Sequence, residues 1–185
     1  MNLSRILYPA LLLLIALPVA AEDRPFIDEM HPDVNVPDQQ PWKEGAINLP
    51  PFPQEGDLVE FEVDGAPGQF RYFIDGKNLA IGDDRVVRYT LVIRSDSGAN
   101  NISFEGMRCD SWEHKVYAYD NGRGEFRRVA SPEWERTPKH VQGPHYELHT
   151  FYLCIPYQYK PRSHKEIIRA LRGKMDVQDA GFYAD

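Results

Sequence analysis

Apolar and polar residues alternate with a period of two along several segments of the chain. In 102–107, for example, Ile102 and Phe104 share one side of an extended strand, and Ser103 and Glu105 share the other. Such alternation is typical of half-buried antiparallel strands, and turn sequences such as Asn121-Gly122 separate the segments. The predicted strands lie within 58–63, 69–75, 86–94, 102–107, 115–119 and 146–154.

Residues 163–173 carry the signals of one C-terminal helix. Ser163 and Glu166 have the spacing of a capping box, Ile167 and Leu171 fall on one helical face, and Gly173 is a stop signal. The predicted fold class is therefore α+β: mainly antiparallel β-sheet, either curled or doubled into a sandwich, with one C-terminal helix.

The first 21 residues have the layout of a secretory signal peptide. Arg5 precedes an apolar stretch, and small residues at 19–21 predict cleavage near Ala21. A membrane anchor is the alternative, but the apolar stretch is shorter than the roughly 20 residues that span a bilayer. We therefore expect no transmembrane segment in the mature chain and a periplasmic or secreted location.

Prolines set the next segment apart. Seven prolines fall within 22–55, which excludes a helix and predicts an extended N-terminal arm. Trp42, Ile47 and Phe52 are the side chains expected to hold its second half against the body of the protein. We expect a single β-rich domain at 56–175, followed by a C-terminal tail at 176–185.

Cys109 and Cys154 are the two cysteines of the chain, and each ends a predicted strand. In an exported protein this pair predicts a disulfide, whose loop closure is worth about 4 kcal/mol. A metal or redox site is the alternative, but the two thiols lack the spacing of a CxxC motif.

The outward positions of the predicted strands collect charged and imidazole side chains. If they share one face, that face suits a polar ligand or a protein partner; the alternative is a solvated sheet face. The candidate residues are Arg71, Arg88, Arg94, Glu105, His145 and His149.

Histidines and carboxylates are the candidates for a metal site or for catalysis. His140, His145 and His149 cluster in sequence, but four residues of strand span about 13 Å, and Gly143-Pro144 is expected to prevent a helix there. No metal site is predicted. Glu105 could act with an aspartate as acid and base, although we expect the aspartates to form turns and Glu105 to pair with Arg88 or Arg94. The aspartates are Asp75, Asp83 and Asp84.

Two stretches resemble a known family. The run at 82–92, GDDRVVRYTLV, and the run at 104–109, FEGMRC, are similar to those of the cryptic-neisserial-protein-like family of exported bacterial proteins. The resemblance covers about 42–172. It implies export and a cysteine pair, and it supplies no catalytic residues.

Composition and motifs narrow the functional classes. The net charge of −7 argues against nucleic acid as a partner, and no phosphate loop, dinucleotide fingerprint or nucleophile elbow is present. We expect no cofactor. The first hypothesis is a non-enzymatic binding or assembly module that engages an envelope protein or a polar ligand. The alternative is a hydrolase acting on a cell-wall or carbohydrate substrate through Glu105 and an aspartate.

Overall fold

The computed structural model describes residues 41–138 and 143–173. Within this part of the chain, eight strands form one open antiparallel sheet in the order β1-β2-β4-β5-β6-β7, with β3 paired to β4 and β8 paired to β6, while β9 and β10 form a separate hairpin. In chain order the strands are β1 (Leu58–Phe61), β2 (Phe70–Asp75), β3 (Ala80–Ile81), β4 (Val86–Ser95), β5 (Asn100–Arg108), β6 (Glu113–Asp120), β7 (Phe126–Arg128), β8 (Glu135–Arg136), β9 (Cys154–Ile155) and β10 (Lys160–Pro161).

The predicted fold class is confirmed. Five of the predicted strands coincide with β1, β2, β4, β5 and β6. The C-terminal helix is α2 (His164–Leu171); Ser163 Oγ accepts from the Glu166 amide, and the Glu166 carboxylate accepts from the Ser163 amide, so the predicted capping box is present. Gly173 follows the helix with a φ of 65°, a left-handed conformation that glycine adopts without steric cost.

The predicted strand at 146–154 is wrong, because this segment is helical. A short helix, α1 (Pro144–Glu147), runs directly into a π-helical turn over Leu148–Leu153. Pro144 lies in the first turn of α1, where a missing N–H costs nothing, so it starts the helix instead of preventing it. Leu148 and Leu153 are both fully buried, five residues apart, as the spacing of a π-helix allows.

The helices cover one face of the sheet and build the main core. Alternate residues of β4, Val87, Tyr89 and Leu91, pack in one cluster with Leu148 of the π-helical turn and Ile167 of α2. Burial of this apolar surface is the main stabilising contribution to the fold.

The described part of the proline-rich arm covers the opposite face. Residues 41–54 contain no regular secondary structure, and Phe52 packs on Phe126 with ring centroids 5.3 Å apart. Ile47 packs against the cluster that contains Phe104, and Trp42 makes an edge contact with Trp134. Both faces of the central sheet are therefore covered.

The predicted disulfide is confirmed. Cys109 and Cys154 are bonded, with Cα atoms 5.6 Å apart. The bond joins the end of β5 to the end of the π-helical turn, so it fastens the helical layer to the sheet.

No helix in the described ranges is long and apolar enough to cross a bilayer. The predicted signal peptide at 1–21, the first part of the arm and the tail at 176–185 lie outside the described residues, as does His140.

Candidate functional site

The predicted charged face is divided into separate parts. Arg71 and Arg94 are direct neighbours on β2 and β4, and their guanidinium groups both lie 5.1 Å from the ring centroid of Phe73. Arg71 binds Glu60 and Arg94 binds Glu55, each through two hydrogen bonds. Such exposed pairs contribute little to stability, because water and salt screen them.

Arg88 is buried, which corrects its placement on an open face. It points to the same side of β4 as Arg94, but the proline-rich arm covers this end and leaves Arg88 only 7% exposed. Its guanidinium donates two hydrogen bonds to Asp84, and Asp84 also accepts from the amides of Gly45 and Val86. Burial raises the pKa of Asp84, but these hydrogen bonds outweigh burial and lower the pKa to about 2.

Glu105 lies on the helix-covered face, so its placement on a solvated side and its pairing with an arginine were wrong. It is directly opposite Tyr89, a residue of the main core, and is 2% exposed. Its carboxylate accepts from Tyr89 Oη at 3.0 Å and from Ser103 Oγ. His145 Nε2, on α1, is 2.8 Å from the same carboxylate. The result is a buried carboxylate with three polar partners.

Electrostatics couple this carboxylate to two stacked imidazoles. Burial raises the pKa of Glu105, but the hydrogen bond and charge of His145, with the hydroxyls of Ser103 and Tyr89, outweigh it and lower the pKa below its ordinary value. Burial lowers the pKa of His145, but Glu105 outweighs burial and raises it. Both shifts favour the charged form of the Glu105–His145 pair.

His114 is the second imidazole of the cluster. Its ring stacks on His145 with centroids 3.8 Å apart, and its Nδ1 is 2.9 Å from Thr137 Oγ1. Burial and the neighbouring charge of His145 lower the pKa of His114. Protonation is therefore favoured on His145 and disfavoured on His114.

His145 and His149 lie one turn apart on the same helical segment, contrary to the prediction that Gly143-Pro144 excludes a helix. They bind different groups: His145 contacts Glu105, while His149 Nε2 is 3.2 Å from the carbonyl oxygen of Cys109. In the described ranges, no three potential metal ligands come together.

The hydrolase hypothesis needs Glu105 and an aspartate in one cleft, whereas the three aspartates have other surroundings. Asp84 and its Arg88 partner lie on the arm-covered face, opposite Glu105. Asp75 accepts hydrogen bonds from the residues of its own turn, and Asp83 lies exposed in the turn between β3 and β4. These are the turn roles that the sequence predicts for aspartates.

An aromatic cleft lies beside the disulfide, and sequence reasoning missed it. It has a volume of about 340 Å³ and is bounded by the turn after β5, the π-helical turn and the β9–β10 hairpin. The Cys109–Cys154 bond forms part of its wall, and Trp112, Tyr157 and Tyr159 contribute aromatic rings. We refer to this feature as the aromatic cleft.

The backbone of the aromatic cleft is held in an unusual conformation. Trp112, Tyr157 and Tyr159 have φ values of 58°, 61° and 51°, in the left-handed region that bulky residues rarely adopt. Each such residue costs about 1–3 kcal/mol, and such residues cluster at ligand-binding sites. The ring of Trp112 stacks on His149, with centroids 3.6 Å apart, while Tyr157 is 79% and Tyr159 58% exposed.

A weak signal for the aromatic cleft was present in the sequence. Trp112 follows Cys109 by three residues, and Tyr157 follows Cys154 by three. A disulfide between the cysteines brings the two aromatic positions together, but the turn geometry that exposes the rings is not visible in the residue pattern.

The fold and this site define a small disulfide-linked α+β protein with an aromatic cleft at one end of its sheet. The chain belongs to the CNP1-like family, whose model matches residues 37–172. This confirms the resemblance seen in the sequence. Neither a curated protein nor a solved structure matches the chain.

Proposed function

We propose that this protein is exported to the cell envelope and acts there as a non-enzymatic binding module, with the aromatic cleft as its contact site. The observation that carries the proposal is the exposure of Tyr157 and Tyr159 on left-handed backbone beside the disulfide. Exposed tyrosines at a cleft are typical of binding sites, because they offer a large contact area at little cost in side-chain entropy.

The contacts of the Glu105 carboxylate favour a binding function over hydrolysis. The Glu105 carboxylate is buried and already accepts hydrogen bonds from Tyr89 and Ser103 while pairing with His145. A general acid or base must reach the substrate proton, whereas Glu105 is 2% exposed and its carboxylate oxygens already have partners. Their contacts instead fasten α1, which runs directly into the π-helical turn that carries His149 and Thr150 of the cleft wall.

The case for export combines the sequence with the disulfide. The layout of residues 1–21 is that of a signal peptide, and structural disulfides persist in oxidising compartments. The Cys109–Cys154 bond fits such a compartment.

Export predicts a specific processed N-terminus. Expression of the full chain in a bacterial host should give a mature protein that begins at Glu22 and is recovered in the periplasmic fraction or the medium. N-terminal sequencing and fractionation with cytoplasmic and periplasmic marker enzymes measure this. Recovery of unprocessed chain in the cytoplasm, with reduced Cys109 and Cys154, would contradict export.

Binding at the aromatic cleft predicts position-specific cross-links in cells. A photo-reactive phenylalanine analogue at Tyr157 or Tyr159 should capture one discrete species at both positions, because the two tyrosines border the same cleft. The matched control is the same analogue at Tyr119, which is 44% exposed on β6. Identical cross-linking patterns from the cleft and from Tyr119 would argue against a binding site at the cleft.

A further inference from the structure

The residues that line the aromatic cleft carry little charge. Among the described residues, those lining it include no Asp, Glu, Lys or Arg. A charged ligand would lose its hydration in such a site without gaining an ionic partner, at a considerable cost in free energy. The ligand that fits is therefore neutral where it enters the cleft.

The lining also offers few polar side chains. Beside the tyrosine hydroxyls, the polar groups are Thr150 and His149, and His149 Nε2 already contacts the carbonyl oxygen of Cys109. A sugar carries hydroxyls around its whole edge, and each one buried without a partner costs about 1–3 kcal/mol. This composition is a poor match for a carbohydrate.

A proline-rich peptide needs fewer polar partners. Proline has no N–H, its ring is apolar, and the carbonyl groups of the chain accept hydrogen bonds from donors such as tyrosine hydroxyls. Proline-rich segments also adopt an extended left-handed helix before they bind, so ordering costs little. Grooves lined by aromatic rings are the surfaces that recognise such segments.

The dimensions and position of the aromatic cleft agree with this occupant. A volume of about 340 Å³ is at the small end of ligand sites, and it suits individual proline rings inserted from a longer chain. Tyr157 and Tyr159 project into solvent on the β9–β10 hairpin, where an extended peptide could continue across them. Pro156 and Ile155 add apolar surface beneath.

From this chemistry we propose that the aromatic cleft binds an uncharged, proline-rich, extended segment of a partner protein. The inference rests on the proposed function, and it adds the chemical class of the ligand. Recognition comes from proline rings packing against the aromatic side chains, with the Tyr159 hydroxyl donating to a peptide carbonyl.

The test is a binding titration of the oxidised protein with three probes. These are an uncharged ten-residue peptide containing repeated Pro-x-x-Pro, the same peptide with alanine at every proline, and the neutral oligosaccharide chitotetraose. Tryptophan fluorescence follows binding because Trp112 lines the cleft, and calorimetry provides an independent measurement. We expect saturable binding of the proline peptide and at least about tenfold weaker binding of the alanine peptide.

Variants locate the binding site. Tyr157→Ala and Tyr159→Ala should each weaken binding of the proline peptide by about tenfold or more, as expected for aromatic residues at the centre of a contact. Tyr119→Ala is the matched control and should leave the affinity unchanged. Urea unfolding of each variant checks that the fold is retained.

The outcomes separate this inference from the proposed function. If chitotetraose binds and the proline peptide does not, the ligand class is overturned in favour of a glycan. If neither probe binds while Tyr157 still cross-links to a discrete species in cells, the inference fails and the binding function stands. If the peptide binds equally well to the Tyr157 and Tyr159 variants, the assignment to the cleft is overturned.

Discussion

Glu105→Ala is expected to lower the free energy of unfolding by about 3–5 kcal/mol, because it removes a buried carboxylate that is the shared partner of His145 and of two buried hydroxyl groups. His145 would keep its position on α1 without its carboxylate partner, and the hydroxyls of Tyr89 and Ser103 would lose their acceptor. Urea unfolding at constant pH, followed by fluorescence, measures the change. The matched control is Glu60→Gln, which breaks the exposed pair with Arg71 and should change the free energy of unfolding far less than Glu105→Ala does.

The pH dependence distinguishes a charged pair from a packing effect. The lowered pKa of Glu105 adds stability above about pH 4.5, and this is lost as the pH falls through the folded-state pKa. The raised pKa of His145 adds stability below about pH 6.5, and this is lost as the pH rises through its folded-state pKa. The difference between the wild type and Glu105→Gln should therefore be largest between about pH 4.5 and 6.5.

Other ionisable groups near Glu105 also affect the pH dependence of stability, both in the wild type and in Glu105→Gln. The lowered pKa of His114 reduces stability as the pH falls below about 6.5, which partly offsets the His145 contribution, and Glu135 also favours the charged form of His145. The difference between wild type and variant is thus the informative quantity. A difference that stays constant from pH 4 to 9 would contradict a charged Glu105–His145 pair.

Removal of the disulfide is the second large effect that we expect. Cys109→Ala with Cys154→Ala should lower the free energy of unfolding by about 4 kcal/mol, because the bond closes a loop with a sequence separation of 45 residues and restricts the unfolded chain. Alanine is preferred to serine because both positions are buried, where a hydroxyl without a partner would add its own cost. Denaturant unfolding of oxidised wild type and of the double variant measures the loss.

Reducing agent provides the matched control for this prediction. Dithiothreitol should destabilise the wild type by an amount similar to the double substitution and should leave the double variant unchanged. The same treatment should weaken peptide binding, because Cys109 and Cys154 line the aromatic cleft. Equal unfolding midpoints for the oxidised wild type and the double variant would contradict the stabilising role.

Much of the sheet could be predicted because local pattern and tertiary environment agree there. In β4, alternate residues such as Val87, Tyr89 and Leu91 pack in the main core, as their spacing predicts. The capping box at Ser163 was equally visible, because all of its hydrogen bonds lie within one turn of chain. The predictions of β4 and of the capping box, which depend on residues close in sequence, were therefore confirmed.

The segment 146–154 could not be predicted from its pattern. Tyr146, Leu148 and Tyr152 fit an alternating strand, yet Leu148 and Leu153 are the fully buried leucines of this segment. Short apolar runs fit both the period of a strand and the period of a helix, and packing on the core decides between the two structures. Here the choice of helix brings His145 to Glu105 and His149 to the wall of the cleft.

The sequence by itself determined three things. These are the strands and the helix whose signals lie within a few neighbouring residues, the disulfide pair, and the family. Only the tertiary structure decided which side of β5 faces the helices, because the proline-rich arm covers the second face and both sides of that strand are buried. A period-two pattern separates polar from apolar side chains, but it does not state whether the polar side meets water or other polar groups. The buried position of Glu105 and the aromatic cleft both follow from long-range contacts of this kind.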